Sequence, residues 1–318
     1  MYMLKYILKR LGLMLLTFAI IMTMCFILVK LLPPPEIKAF GQDQQLIELR
    51  REQLGYNKPI LVQLGRYLKA VFAKGQFGLS EVVKPGKEVW DLFVAKLPAT
   101  MLVNLYAMLI SVPLGILCGI YAALKKNKWQ DHLISTSVMI VVSVPSYVYA
   151  VLVQYLFCYK LRWLPFLMEA STNYFSWSMF VSILAPVMCL SFGTIAGLTR
   201  YTRAELTEVL TSDFMLLART KGLTRRQATI RHAMRNAMVP ILPMIIGEFI
   251  GILSGSLIIE NIFSIPGVGG LYLDSINAQD YNLFMLLSGF YTLVGLTSSI
   301  LIDISYGFID PRIRMGAK

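Results

Sequence analysis

Six long apolar segments constrain the fold of this chain more than any other feature. They cover residues 9–32, 98–124, 132–159, 178–200, 237–262 and 283–308. Each is near or above the ~20 residues that an α-helix needs to cross about 30 Å of hydrocarbon. The sequence is 56% hydrophobic and 15% charged, whereas soluble domains carry about 25% charged residues. The pattern predicts an all-α integral membrane protein with six transmembrane helices. The first helix is predicted to be retained, because its apolar run is longer than a signal-peptide core and lacks a cleavage site.

The distribution of positive charge predicts the orientation of these helices, because short cytoplasmic loops are enriched in Lys and Arg. The short loop at 125–131 carries three lysines, whereas the connections at 160–177 and 263–282 carry two basic residues and none. This pattern places both termini and the loop at about 201–236 in the cytoplasm. The chain then divides into three consecutive parts: an N-terminal segment with the first helix at 1–32, an extracytoplasmic helical region at 33–97, and a transmembrane core at 98–318.

The formal net charge of +12 does not indicate a nucleic-acid partner. The basic segments adjoin apolar spans, so contact with membrane lipid headgroups is the expected role of the charge. The cysteines are predicted to be small buried side chains and not a disulfide framework or a metal site, since none forms a Cys-x-x-Cys pair. They are Cys25, Cys118, Cys158 and Cys189. The sequence also lacks the Gly-x-x-x-x-Gly-Lys-Ser/Thr phosphate loop, so no ATP site is predicted in this chain.

The densest positive charge lies in residues 218–240, which hold six Arg or Lys residues and no Asp or Glu. The surrounding pattern predicts a helix, a glycine turn and a second helix at the cytoplasmic surface. Asp213 is positioned to cap a helix that ends near Lys221. Gly222 then occupies the position at which a left-handed residue commonly ends a helix.

The second helix is predicted to begin at a capping box formed by Thr224 and Gln227 and to run on into the fifth span. Its predicted apolar face consists of Ile230, Ala233, Met234, Ala237, Met238 and Ile241. The apolar run in the first helix needs cover, which a protein partner would supply; it consists of Phe214, Met215, Leu216 and Leu217. The alternative is an amphipathic hairpin that lies on lipid headgroups.

The fifth apolar segment contains three glycines and two acids of interest. Gly247, Gly251 and Gly255 recur every four residues and predict a smooth helix face for close packing. Glu248 lies at membrane depth, where an acid either serves a substrate or proton path or makes an interhelical hydrogen bond. Glu260 is near the outer end and can simply face water. Prolines within the spans favour kinked helices, which suit either a translocation path or ordinary packing: Pro113, Pro145, Pro186, Pro240 and Pro243.

The segment ARTKGL followed by RHAMRNAMVP is similar to the loop of ABC-importer permeases that ends in a glycine and docks on the ATPase. Over nearly its full length the chain resembles the dipeptide, oligopeptide and nickel permease family, in its first-permease branch. The resemblance is carried, in order, by YILKRLGLMLL, LGYNKPILVQLGRYL, GQFGLS, LPATMLVNLYAMLISVPLGILCGIYAALKKNKWQD, IIENIFSIPGVGGLYLDSINAQDYNLF and DISYGFIDPRIR.

Three departures from the family pattern concern local details. Pro33, Pro34, Pro35 and Glu36 replace a Pro-Gly-Asp-Pro-like turn after the first span. The loop at about 201–236, which would couple the chain to the ATPase, has only scattered counterparts of the family's Glu-Ala-Ala-like triplet. An Asn that is common near the sixth span in the family is replaced within TSS at residues 297–299. None of them removes the glycine or the basic helix, so the coupling role implied by the resemblance stands.

The resemblance implies a type I ABC importer permease fold in the bacterial cytoplasmic membrane. It implies a homologous second permease subunit, two cytoplasmic ATPase subunits that bind ATP and Mg, and an extracytoplasmic substrate-binding protein. This chain would itself bind no cofactor or metal and would catalyse no reaction. The residues expected to couple it to the ATPases are Asp213, Phe214, Leu216, Leu217, Ala218, Arg219, Lys221, Gly222 and Leu223.

The resemblance favours oligopeptides as the substrate, with dipeptides or nickel as alternatives within the same family. The sequence does not specify which residues line the substrate path of this protein. Glu248 is the one candidate residue. A self-contained channel or ion-coupled carrier is the alternative class, supported by Glu248 and the proline breaks. Such carriers commonly show paired repeats with matching broken helices, and none is evident in the sequence.

Overall fold

The computed structural model of this chain describes residues 2–32, 49, 52, 55, 57–171 and 173–309. Within these ranges the regular structure is helical, and one isolated antiparallel bridge joins Leu79 and Glu88. In chain order the α-helices are α1 (Tyr2–Leu31), α2 (Ile60–Lys74), α3 (Val89–Leu124), α4 (Trp129–Ser143), α5 (Ser146–Val153), α6 (Trp177–Leu210), α7 (Asp213–Thr220), α8 (Arg225–Ala228), α9 (Met234–Ala237), α10 (Ile241–Gly251), α11 (Leu257–Ile262), α12 (Val268–Asn277) and α13 (Tyr281–Ile309). Two π-helical segments are π1 (Gln154–Lys160) and π2 (Thr229–Ala233).

Several of these helices are long and apolar enough to cross a membrane. Unbroken candidates in the described part of the chain are Lys5–Leu31, Val89–Leu124, Trp177–Leu210 and Tyr281–Gly307. Two further candidates are bent pairs: α4 with α5 and π1, at 100°, and the α8–α9 segment with α10, at 57°. The predicted all-helical membrane architecture is confirmed, with four spans or up to six if each bent pair is one span. The third and fifth predicted spans are therefore not continuous helices.

Proline accounts for the break in the third predicted span. Val144 has extended backbone angles (φ −92°, ψ 124°) and Pro145 follows at φ −58°, ψ 142°. Proline lacks an N–H and disfavours the helical conformation of the residue before it, so α4 ends at Ser143. Pro186, in contrast, lies inside α6 without ending it.

The fifth predicted span is interrupted twice. The helix that begins at α8 does not run directly into it, because residues 238–240 form a turn that ends at Pro240 before α10 begins. A second break separates the end of α10 at Gly251 from the start of α11 at Leu257.

The chain forms two compact units, and the larger comprises residues 99–269 and 297–318. Its core has two buried clusters. Cluster A consists of Ala99, Leu102, Val103, Ala107, Ala150, Val153, Cys158, Met179, Ile183, Ala185, Val187, Cys189, Ile259, Phe263 and Ile265. Cluster B consists of Ala123, Leu206, Met215, Ala218, Ala228, Ala233 and Ala237. Because α3 and α6 each contribute to both clusters, the clusters mark opposite ends of these two helices.

Two glycines that the sequence analysis did not single out bring α3 and α6 close together. A Cβ at Gly115 would lie 2.8 Å from the Cβ of Leu198, and one at Gly119 would lie 2.8 Å from the Thr199 carbonyl oxygen. Small residues four apart let helix backbones approach closely in membranes. Close packing at glycines is therefore present between α3 and α6, in addition to the packing predicted for the fifth span.

The smaller unit comprises residues 1–98 and 270–296. Ring contacts join its elements, with centroids 5.6 Å apart for Phe26 and Tyr67 and 4.7 Å apart for Phe93 and Phe290. Asp280, which precedes α13, is fully buried.

The sequence of the extracytoplasmic region predicts two amphipathic helices, because DQQLIELRREQLGY and PILVQLGRYLKAVF both place apolar residues at helical spacing. The second of them is present. The stretch PILVQLGRYLKAVF forms α2, which ends at Gly75 with φ +63°. The prediction for DQQLIELRREQLGY falls mostly outside the described residues, as does the Pro33–Glu36 departure.

Candidate functional site

The predicted helix, glycine turn and helix are present as α7, a turn at Gly222, and α8. Ser212 takes the N-cap position of α7 with extended backbone angles (φ −77°, ψ 154°). The prediction that Asp213 caps this helix is therefore wrong by one residue. Asp213 is instead the first helical residue, where a carboxylate still favours the positive end of the helix dipole.

Gly222 ends α7 in a Schellman motif. Its φ is +89°, its N–H donates to the Arg219 carbonyl at 3.0 Å, and the Leu223 N–H donates to the Ala218 carbonyl at 3.3 Å. These are the two hydrogen bonds of the motif, and the predicted left-handed glycine is confirmed. A Cβ at Gly222 would meet nothing within 4 Å. The requirement for glycine is therefore conformational and does not arise from lack of space.

The capping box predicted at the start of α8 is confirmed. The Gln227 N–H donates to Thr224 Oγ1 at 3.3 Å, and the Thr224 N–H donates to Gln227 Oε1 at 3.0 Å. The helix then passes into π2, whose wider turn changes which residues face inward. Ala228, Thr229, Ala233 and Ala237 are buried, whereas Ile230 is 55% exposed. The prediction that Ile230 shares the buried face is therefore wrong.

The inward face of α7 consists of Met215 and Ala218, both buried in cluster B with Leu206. Their spacing of three residues places them on one side of the helix, and this spacing is the sequence signal that identifies the inward face. Ala218 was among the expected coupling residues, but its side chain is covered by its own chain and does not face a partner. Met215, which was not among the expected coupling residues, anchors α7.

The outward face of α7 is apolar. Phe214, Leu216 and Leu217 are exposed, Leu216 by 63% and Leu217 by 55%. The basic residues around this face are exposed as well; they are Arg219, Lys221, Arg225, Arg226, Arg231 and Arg235. The structure therefore presents an exposed apolar face on a helix whose opposite face is buried in cluster B, in a segment with many exposed basic residues.

An ion pair connects the first turn of α4 to α6, near the α6 residues that enter cluster B. Arg203 donates from Nη2 to Asp131 Oδ2 at 2.8 Å and from Nε to Oδ1. The Asn127 N–H also donates to Asp131 Oδ2, at 2.9 Å. Since Asp131 is 1% exposed, this two-point pairing satisfies a carboxylate that would otherwise be costly to bury. Sequence analysis missed the pair because its members lie on different elements.

Glu248, the candidate for the substrate path, lies on α10 and is partly buried. The Thr194 hydroxyl, on α6, donates to Glu248 Oε2 at 3.3 Å. An interhelical hydrogen bond, one of the two predicted alternatives, is thus present.

The three glycines around Glu248 do not share one helix face. Gly247 and Gly251 lie one turn apart on α10, but Gly255 lies beyond the end of that helix with φ +63°. The prediction of a three-glycine face is therefore wrong for Gly255. A Cβ at Gly247 would lie 3.2 Å from Ile302 Cδ1, whereas one at Gly251 would meet nothing within 4 Å.

Glu260 does not face water, contrary to the expectation from sequence. It is 1% exposed; Thr100 Oγ1 donates to its Oε1 at 2.9 Å, and the Gly269 N–H donates to its Oε2 at 2.8 Å. The Val268 N–H in turn donates to Thr100 Oγ1 at 2.8 Å. The carboxylate and Thr100 therefore hold Val268 and Gly269, in the FSIPGVGG segment at 263–270, against α3. Among the described residues, no group of three or more His, Cys, Asp or Glu side chains could hold a metal ion.

Comparison with known proteins agrees with this geometry. The family model of the binding-protein-dependent transport system inner membrane component matches residues 115–315, and that of the N-terminal part of such membrane components matches residues 3–104. The dipeptide transport system permease protein DppB of Lactococcus lactis is 33% identical over 98% of this chain and 100% of its own length. DppB of Bacillus subtilis is 31% identical over 99% of this chain and 100% of its own length. The glutathione transport system permease protein GsiC of Escherichia coli K12 is 32% identical over 98% of this chain and 99% of its own length.

These matches cover nearly all of the chain, including its long apolar helices, and the chain is accordingly a multi-pass protein of the bacterial inner membrane. It belongs to the family of binding-protein-dependent transport system inner membrane components, as an ABC-importer permease of the dipeptide and oligopeptide group.

Proposed function

We propose that this chain is the transmembrane subunit of an ATP-driven, binding-protein-dependent importer of oligopeptides, and that α7 couples it to an ATPase. The observation that carries the coupling role is the outward face of α7. Phe214, Leu216 and Leu217 are exposed there although Met215 and Ala218 fix the helix in cluster B. An exposed apolar face on a fixed helix is suited to a hydrophobic groove in a partner protein.

The remaining coupling residues would have distinct roles. Arg219 and Lys221 would bind acids around the groove or nearby lipid headgroups. Asp213 would stabilise the start of α7 through the helix dipole. Gly222 and Leu223 would set the turn into α8 and thereby fix the direction in which the docking face points.

The partners follow from the same proposal. A homologous second permease would complete the translocation path, and two cytoplasmic ATPase subunits would bind ATP and Mg. An extracytoplasmic binding protein would deliver the substrate, and the basic residues beside α7 would also contact membrane lipid. The absence of a phosphate-loop motif from the sequence supports an ATP site on partner subunits, with no cofactor, metal or catalytic residue in this chain.

For the topology we propose six spans of the type I importer fold, with both termini and residues 201–236 in the cytoplasm and 33–97 outside. The cluster B end carries the exposed basic residues of the coupling loop, as a cytoplasmic end should. The bent pairs support the count of six. One extends from Asp131, beside Arg203, to Cys158 in cluster A. The other begins in cluster B and ends with α10 at Gly251, after which α11 brings Ile259 into cluster A. Gly247 and Gly251 would serve helix packing within this arrangement.

Oligopeptides are the proposed substrate, and dipeptides are the first alternative. Relatives with this chain's full length are named as dipeptide and glutathione permeases, which supports short peptides as the chemical class. Nickel is a more distant alternative within the family.

A self-contained ion-coupled carrier is the second candidate function, and Glu248 is the observation that favours it. Membrane-embedded acids serve proton or cation paths in such carriers. The two candidates differ in whether an ATPase is needed.

The test is reconstitution in liposomes of this chain with a second permease, two ATPases and a binding protein. We expect tripeptide uptake that requires ATP and all subunits, and ATP hydrolysis that rises when tripeptide is added. Uptake by this chain alone, driven by a proton gradient, would favour the carrier and contradict the proposal.

A further inference from the structure

The hydrogen bond between Thr194 and Glu248 lies about midway between the two ends of the larger unit. Along α6, Thr194 is roughly 22 Å from Met179 of cluster A and roughly 18 Å from Leu206 of cluster B, at 1.5 Å per residue. Thr194 is also at the midpoint of α6 (Trp177–Leu210). In the proposed topology, in which α6 crosses the membrane, Glu248 is therefore close to the middle of the bilayer. Substrate sites of many membrane transporters lie at this depth.

The Glu248 carboxylate is not suited to lipid, although Phe249, the next residue on α10, is 62% exposed. A carboxylate that faces hydrocarbon is costly, so such groups face a protein partner or a water-filled cavity. On α6, Gly197 lies one turn beyond Thr194, and a Cβ at Gly193 or Gly197 would meet nothing within 4 Å. The faces of α3 and α4 differ, because they expose large apolar side chains such as Leu117 and Met139.

We infer that Glu248 lines the translocation path and binds the positively charged α-amino group of the peptide in transit; this inference rests on the proposed function. The Thr194 hydroxyl binds Oε2 and orients the carboxylate. A carboxylate has about four lone-pair positions, so it accepts an ammonium group beside this hydrogen bond. Every peptide with a free N-terminus carries that ammonium group whatever its sequence. A single acid in the path therefore attracts peptides of varied sequence without selecting among side chains.

The first experiment measures charge at the site without a peptide or a binding protein. In the complete complex, with Cys25, Cys118, Cys158 and Cys189 replaced by Ala, a thiol is introduced by Gly197→Cys. Its rates of reaction with cationic trimethylammonium-ethyl methanethiosulfonate and with the anionic sulfonatoethyl analogue are compared. Each rate is divided by the rate of the same reagent with a small free thiol, because a thiolate alone favours the cationic reagent. We expect the cationic reagent to react about tenfold faster, a ratio typical of one charge-assisted interaction, and Glu248→Gln to bring the two rates close together. Met139→Cys, on the apolar face of α4, should react with neither reagent.

The second experiment measures uptake of trialanine by complexes that contain Glu248→Gln. The amide keeps the hydrogen-bonding capacity toward Thr194 and removes the charge. We expect uptake about tenfold lower, with unchanged subunit co-purification and basal ATP hydrolysis. Glu169→Gln makes the same chemical change at an exposed position and should transport like the wild type.

Four results would overturn the inference. They are no reaction at Gly197→Cys, equal rates for the two reagents in the presence of Glu248, normal uptake by Glu248→Gln, and loss of the second permease from Glu248→Gln complexes. The last result would assign Glu248 to the subunit interface. Failure of the wild-type complex to take up trialanine would instead contradict the proposed function itself, and the reagent ratio reports on the site in either case.

Discussion

Ser80 and Asp280, 200 residues apart in sequence, are joined by a 2.5 Å hydrogen bond in which the Ser80 hydroxyl donates to Asp280 Oδ2. The same oxygen accepts the N–H groups of Glu81, Val82 and Val83, each at 3.1 Å. Consecutive N–H groups that converge on one oxygen form an anion-binding nest. A buried carboxylate thus fixes the segment between the end of α2 and the start of α3.

We predict that Asp280→Asn releases this segment. The substitution removes the negative charge that strengthens four hydrogen bonds. The amide then presents either an NH₂ group or a weaker acceptor to the N–H groups of the nest. We expect the smaller unit to be destabilised by roughly 2–3 kcal/mol. Limited trypsin proteolysis after the exposed Lys87 should become several-fold faster. Asp91→Asn changes an exposed acid nearby and should leave the cleavage rate unchanged. Equal rates in the two variants would contradict the role assigned to Asp280.

The buried Glu260 makes a prediction about a neighbouring glycine. A Cβ at Gly267 would lie less than 3.0 Å from both the Glu260 carboxylate and Thr100 Oγ1. Gly267→Ala should therefore displace the FSIPGVGG segment and destabilise the chain by about 1–3 kcal/mol, as overpacking usually does. The measurement is the thermal unfolding midpoint in detergent. Gly65→Ala, at an open position within α2, is the matched control and should leave the midpoint unchanged or slightly raised. A normal midpoint for Gly267→Ala would show that the segment is not held as described.

The local features of the coupling loop could be predicted from sequence because neighbouring residues determine them. The left-handed Gly222 and the capping box of Thr224 and Gln227 each depend on residues within one or two turns. The exposed Ile230 could not be predicted, because a regular 3.6-residue period does not anticipate the wider turn of π2.

The buried acids could not be located from sequence because their partners are distant in the chain. Glu260 bonds to Thr100, 160 residues earlier, and Asp131 bonds to Arg203, 72 residues later. The position of an acid near the end of an apolar segment does not indicate which group donates a hydrogen bond to its carboxylate. Similarly, Pro145 indicated a kink, but a bend of 100° depends on how α4 and α5 each pack against α6.

The proposed topology predicts which thiols an impermeant maleimide reaches in intact cells. In a background without the four native cysteines, Lys84→Cys lies in the exposed part of the segment before α3 and should be labelled. Thr224→Cys, exposed beside α7, should be labelled only after the cells are opened. The reverse pattern would place the coupling loop outside the cell and exclude its contact with an ATPase.

The central claim is that α7 is a docking element whose direction is set by the turn at Gly222. Valine at this position would have to adopt φ near +89°, which strains a β-branched residue by about 1–2 kcal/mol or more. Arg225→Ala removes one exposed charge, and a single exposed ion pair contributes about 1 kcal/mol or less.

The most direct measurement is therefore ATPase co-purification and peptide uptake for Gly222→Val and Arg225→Ala complexes, with membrane insertion checked for both. We predict that Gly222→Val is inserted normally, retains little ATPase and loses uptake, whereas Arg225→Ala keeps most of both. Normal co-purification and uptake by Gly222→Val, together with their loss in Arg225→Ala, would show that the loop acts as a patch of charge and would contradict the docking role of α7.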